Sequence, residues 1–94
     1  MATVVGLLHL ELHVPEAMTL KDKRRIVKGF KDRLRNHNVS VAEVGALDSC
    51  RRAVLAVSMV GNERPYVEGA LQQILNSAAR HRDMVLVSEE WQWL

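Results

Sequence analysis

An α+β sandwich with the element order β-α-β-β-α-β is predicted by three observations. Val4 to Val14 alternates strictly, with apolar residues on one side, and Arg52 to Val60 is rich in Val, Leu and Ala. Two segments carry apolar residues at helical spacing: Leu20, Val27, Phe30 and Leu34 in one, and Val67, Ala70, Leu71, Ile74, Leu75 and Ala78 in the other. The turn-forming residues Pro15, Gly45 and Gly61-Asn62 fall between these segments.

The elements follow in order. In the first strand Val4, Gly6, Leu8, Leu10, Leu12 and Val14 share one face, and Val5, Leu7, His9, Glu11 and His13 share the other. Pro15 ends the strand because it cannot donate to a ladder. Thr19 is a natural N-cap, with Asp22 three residues on as a weaker capping-box partner. The first helix then runs to about His37, with Ile26 at the margin of its buried stripe and Asn36 and Asn38 as stop signals. Val39 to Val44 reads as the second strand, and a loop with Gly45, Asp48 and Ser49 leads to the third at Arg52 to Val60. Asn62 is placed to cap the second helix, with Pro65 tolerated in its first turn. Arg80-His81-Arg82 falls at that helix's C-terminal end, where cations suit the dipole. Met84 to Leu94 is the last strand, read as having Val85, Val87, Trp91 and Trp93 on one face. Two split right-handed crossovers then give an antiparallel sheet in the order 4-1-3-2 with both helices on one side, the ferredoxin-like arrangement.

The 94 residues make one domain, 1–94, large enough to bury roughly 60–65% of the unfolded surface without staples. Cys50 is the only cysteine, so an intrachain disulfide and a Cys-built metal site are excluded. A lone thiol suits a reducing compartment. The N-terminal apolar run lacks a basic leader and is interrupted by His9, Glu11 and His13, which argues against a signal peptide, and no stretch approaches a membrane span. The expected location is the cytoplasm.

Charge is the most informative functional signal. Lys21, Arg24, Lys28, Lys31 and Arg35 recur at spacings of 3, 4, 3 and 4, which places them on one stripe of a helix. From Leu20 to His37 eight Lys/Arg face Asp22 and Asp32, giving +6, whereas the rest of the chain has five Lys/Arg against nine Asp/Glu, giving −4. Lys21, Lys23, Arg24 and Arg25 crowd the first two turns, where the positive end of the helix dipole makes each unfavourable by about 0.3–1 kcal/mol. Cations placed against that rule, beside free N–H groups, point to a phosphate site for RNA, with the ridge tracking further phosphates. The alternative is a solvated charged face. Lys23 lies between Leu20 and Val27 in the apolar stripe, so it either snorkels past the helix start or reaches a carboxylate, Glu11 or Glu43.

Other candidates have competing readings. His9, Glu11 and His13 could share a metal, but a row with no evident fourth ligand reads better as a wetted sheet face, and no metal or cofactor is expected. Val5 and Leu7 on that face suggest a second copy of the chain, through the face or an edge strand, or a protein partner. Trp91 and Trp93 either stack on unpaired bases or seal a core edge or an interface. The first and third strands lack the aromatics by which RNA-recognition sheets read single strands. Cys50 precedes Arg51 and Arg52, whose charge would favour a thiolate, yet no His follows nearby to pair with it. No Gly-rich phosphate loop, paired-carboxylate motif or nucleophile elbow is present, so no catalytic residue and no small-molecule substrate are identified.

Three stretches resemble one known family. Thr19-Leu20-Lys21-Asp22-Lys23-Arg24-Arg25 is similar to the SLKxKR start of the first helix in the YlxP-like proteins, a domain-of-unknown-function family of small bacterial proteins. Asn38 to Val44 is similar to that family's second strand, and Arg52 to Val57 followed by Gly61-Asn62-Glu63 to its third strand and the start of its second helix. Thr19 replaces the usual Ser and keeps the capping hydroxyl, while Cys50 stands where an aromatic is common. The resemblance implies the ferredoxin-like fold. It also implies a genomic neighbourhood with translation initiation factor two and ribosome-binding factor A, hence a role near ribosome assembly or translation; it carries no catalytic residues. The expectation is a non-catalytic domain that docks on structured RNA or a ribosomal particle through the first helix, with a homodimeric adaptor as the alternative.

Overall fold

A computed structural model describes residues 2–94. The chain forms β1 (Val4–His13), α1 (Leu20–Leu34), a 3-10 turn (Arg35–His37), β2 (Ser40–Gly45), β3 (Arg52–Gly61), α2 (Arg64–Ala79) and β4 (Val85–Trp93). The four strands make one antiparallel sheet in the order β2-β3-β1-β4, the predicted order read from its other edge.

Strict alternation in β1 sends Leu8, Leu10 and Leu12, with Val14 just beyond, fully under the helices, together with Ala53, Leu55, Val57 and Met59 of β3. Val27, Phe30 and Leu34 of α1 and Val67, Leu71, Ile74, Leu75 and Ala78 of α2 close over them to complete one apolar core. Gly6 is the exception to side-chain filling. A Cβ there would stand 2.8 Å from Leu71 Cδ1, 2.9 Å from Val67 Cγ1 and 3.0 Å from Trp93 Cζ3, so α2 and Trp93 close over bare backbone.

The helix ends follow local chemistry. Thr19 Oγ1 accepts the Asp22 N–H at 3.1 Å, and Asp22 Oδ2 accepts the Met18 N–H at 3.0 Å. α1 stops at Leu34, tightens to the 3-10 turn, and Asn38 takes the left-handed conformation, φ 57°, that lets the chain turn back into β2. α2 departs from expectation: Glu63 occupies the N-cap position and no side chain caps it, so Asn62 has no such role, and Pro65 in the first turn limits the loss because it has no N–H to satisfy.

β4 corrects the sequence reading more substantially. Glu11 pairs with Ser88 but Leu12 pairs with Leu86, leaving Val87 as an extra residue. This bulge inverts the alternation. Val85 and Val87 are more than half exposed, whereas Trp91 and Trp93, opposite Leu8 and Gly6, turn to the helix side and pack on the core. The four residues therefore do not share a face.

Candidate nucleic-acid interface

The apolar stripe of α1 fixes how its cations face. With Val27, Phe30 and Leu34 buried, Lys21, Arg24, Arg25, Lys28 and Arg35 are exposed and Lys31 is half-exposed. Lys28 Nζ donates to Asp32 Oδ2 at 2.9 Å, and Arg35 reaches Oδ1 of the same carboxylate at 3.8 Å. Arg25 lies 3.8 Å from Asp22. Lys21, Arg24 and Lys31 form no ion pair among the described residues. The Lys28 hydrogen bond holds the Asp32 carboxyl below its usual range, and the Met18 N–H does the same for Asp22. Both acids are therefore ionised at neutral pH and offset part of the ridge, most directly at Arg25, Lys28 and Arg35.

Two expectations about this helix are corrected. Lys23 is fully buried and cannot meet a phosphate. Its Nζ donates to Ala46 O at 2.9 Å and Arg52 O at 3.0 Å and lies 2.9 Å from Glu43 Oε2, so it fastens α1 to the ends of the β2–β3 hairpin. Of the two carboxylates within reach by sequence, Glu43 is its partner. Glu43 Oε2 has no directed hydrogen bond, so its contact with Lys23 is an ion pair held by charge. The second correction concerns the helix start. Asp22 places the chain's own carboxylate there and takes the Met18 N–H, so the first turn is not an open phosphate cradle.

The uncovered sheet face is ordered by its register. Val60, Val5 and Leu94 stand abreast at one end, with Val60 62% and Leu94 72% exposed. Ser58, Leu7 and Gln92 follow, then Ala56, His9 and Glu90, then Val54, Glu11 and Ser88. Glu11 accepts from Arg52 Nη2 at 2.7 Å and from the Ser88 hydroxyl at 3.2 Å, and these bonds hold its carboxyl below the usual range. Both its oxygens are thus engaged. No group of three or more His, Cys, Asp or Glu that could hold a metal ion is assembled among the described residues.

The tryptophans stack on each other, 6.1 Å between rings, with Arg64 4.3 Å over Trp93 and Trp91 Nε1 donating to Glu89 at 2.8 Å. They seal the core edge on the helix side, away from the open face, so a base-stacking platform there is not formed. Arg51 donates to Ala17 O at 3.1 Å and Arg52 is held by Glu11, so the guanidiniums beside Cys50 have other partners.

Sequence reasoning missed a second basic feature. A cleft of about 530 Å³ opens between the ends of α1 and α2, with Arg33, His37, Arg80, His81 and Arg82 in its wall. Arg80-His81-Arg82 was legible as a helix-end cluster, but nothing in the sequence brings it to Arg33.

Among the described residues no helix is long and apolar enough to cross a membrane. Over nearly its whole length the fold is similar to a de novo designed protein, Foldit4, with a TM-score of 0.56, 13% identity, and coverage of 98% of this chain and 96% of that one, a likeness of architecture alone. In sequence, 73 residues are 32% identical to the uncharacterized protein YlxP of Bacillus subtilis (strain 168), covering 77% of this chain and 79% of that protein. Residues 5–91 match the family model described as protein of unknown function, DUF503. The chain belongs to the DUF503 family, in agreement with its helix-one and third-strand motifs.

Proposed function

We propose that this protein is a cytoplasmic, non-catalytic binding domain that docks on structured RNA, free or in a ribosomal particle, through the outer face of α1. One observation carries the reading: Lys21, Arg24 and Lys31 lie on one stripe of α1 and form no ion pair among the described residues, on a helix whose other exposed cations extend it. With Lys23 inside, the helix and its 3-10 turn still present seven cations against two carboxylates, or +5, while the remainder of the chain is acidic. The stripe has the form of a phosphate-tracking surface that positions the protein without reading base sequence. The genomic neighbourhood implied by the YlxP-like resemblance agrees with a place near ribosome assembly or translation.

The test is filter binding of a structured RNA over a salt series. Wild type should show a steep loss of affinity with salt. K21E/R24E/K31E should bind weakly, its log–log slope reduced by about one for each phosphate it no longer neutralises. Asp32→Asn should bind more tightly, because it frees Lys28 and Arg35 from their neutralising partner. Equal affinity in all three proteins refutes the proposal.

A second reading rests on the apolar corner Val60–Val5–Leu94 of the open sheet face, which suits a copy of the same chain. Val60 is exposed enough that Val60→Asp leaves the core intact. Light scattering should then show a dimer in wild type and a monomer in the variant, and a monomeric wild type sinks this reading.

A further inference from the structure

We infer that the cleft between the C-terminal ends of α1 and α2 binds a phosphate monoester of nucleotide size. The proposal goes beyond the RNA-docking reading and does not depend on the α1 ridge. Three observations carry it. The cleft, about 530 Å³, falls within the roughly 300–1,000 Å³ of small-molecule sites. Arg33 from α1 and Arg80 and Arg82 after α2 line it from two elements, Arg82 with its side chain 92% exposed, and Asp83, 3.9 Å from Arg82, is the one carboxylate among the described residues of its wall. Three guanidiniums outweigh Asp83 and the partial negative charge of the two helix C-termini, and a net-positive wall draws the dianion of a monoester more strongly than the single charge of an internal phosphodiester.

The third observation is the fixed state of His81. Its Nδ1 accepts the Asp83 N–H at 3.0 Å, so the neutral ring carries its proton on Nε2 and offers it as a donor. The ring meets Phe30 edge-on, with 5.7 Å between centroids, and Arg33 lies 6.0 Å over the same Phe30, so donor and guanidinium are both oriented by packing. Partial burial, then the charge of Arg33, pushes His81 below its ordinary value, which keeps the ring a neutral donor at pH 7. Helix dipoles favour cations at these two helix ends, but they give no reason for an open, polar-walled volume between them.

The source of the monoester is either a free mononucleotide or the terminal phosphate of an RNA, and the experiment separates the two. Adenosine 5′-monophosphate and adenosine are titrated into ¹⁵N-labelled protein, with R80Q/R82Q and K21E/R24E/K31E in parallel. A ten-nucleotide RNA with and without a 5′-phosphate is titrated into K21E/R24E/K31E, where the ridge no longer contributes. Arg80 and Arg82 are exposed, so R80Q/R82Q should keep the wild-type spectrum apart from the cleft. The expected result is saturable shifts at residues 33, 77 and 80–83 with the nucleotide and none with adenosine, at least tenfold weaker binding in R80Q/R82Q, and unchanged nucleotide binding in the ridge variant. Preference for the 5′-phosphorylated RNA over the hydroxyl form assigns the site to an RNA end, and binding of the mononucleotide alone assigns it to a free nucleotide. The proposal is overturned if neither phosphate ligand binds, if adenosine binds equally well, or if R80Q/R82Q binds as wild type does. Failure of the ridge variant to lose RNA affinity would refute the docking reading and leave this result untouched.

Discussion

Lys23→Met separates structure from electrostatics on α1. The substitution keeps the length and apolar stem of the side chain but removes a fully buried ammonium that satisfies Ala46 O and Arg52 O and neutralises Glu43. Glu43 is only 14% exposed, so it would be left as a nearly buried charge without compensation. Breaking a buried pair from one side costs about 3–5 kcal/mol. A domain of this length has a total stability on the order of 5–14 kcal/mol, so the variant should sit near the edge of folding. At roughly 4–8 °C per kcal/mol its Tm should fall by at least about 12 °C. Urea titration followed by the fluorescence of the two part-buried tryptophans gives the midpoint and slope directly. K23M/E43L removes the stranded carboxylate as well and should recover part of the loss, the remainder belonging to the two carbonyls, at about 1–3 kcal/mol each if water does not reach them. A K23M stability within about 1 kcal/mol of wild type, or a double variant less stable than the single one, would refute the argument that the uncompensated carboxylate dominates.

Two further predictions concern packing and protonation. Gly6→Ala places a methyl within 3.0 Å of Leu71, Val67 and Trp93 and should cost about 1–3 kcal/mol, with a shifted tryptophan emission because Trp93 must yield; an unchanged Tm and spectrum would contradict this close approach of α2 and Trp93 to the backbone. Stability should also fall on acidification in two steps. The folded pKa of His81 lies below its ordinary 6.5, so the unfolded chain takes up that proton first and the contribution present above pH 6.5 is lost as pH drops toward the folded value. Glu11, Asp22 and Asp32 lie below their ordinary 4.5, 3.8 and 3.8, so their contribution is present above those values and is lost as pH falls through the folded ones. Urea midpoints measured across the acid range, from neutrality to below the carboxylate values, check both, and a flat profile contradicts them.

The element order was legible because the core faces are regular: β1 alternates without a fault, and both helical stripes keep their spacing. What was not legible depended on bulges and on long-range register. The parity of Trp91 and Trp93 turns on one extra residue in β4, and Val85-Leu86-Val87 offers three similar aliphatics with no mark of which one is unpaired. Lys23 stood out in its apolar stripe, but the choice of Glu43 over Glu11 required the sheet. Both glutamates lie on strands; Glu43, opposite Leu55, faces the helices, and Glu11, opposite Val54, faces away. Asp22 as a cap was visible, yet its consequence, a helix start already occupied by a carboxylate, needed the bond to Met18. The cleft was invisible because its cations lie nearly fifty residues apart, Arg33 against Arg80, and meet only where two helices end side by side.

The fold also separates charge across the molecule. α1 lies toward the β2 edge, tied there by Lys23, whereas α2 lies toward β4, the strand that carries Glu89 and Glu90. Under the docking proposal, the α1 cations on one flank and Glu89 and Glu90 on the opposite edge would orient the protein before contact with a polyanion. Such steering acts on the association rate and is screened over about 8–10 Å at physiological salt. Reversing Glu89 and Glu90, which lie on the far edge from α1, should therefore leave the dissociation rate of an RNA complex unchanged and alter only association at low salt. By contrast, under the docking proposal K21E/R24E/K31E should change both rates, because those side chains would themselves meet the phosphates.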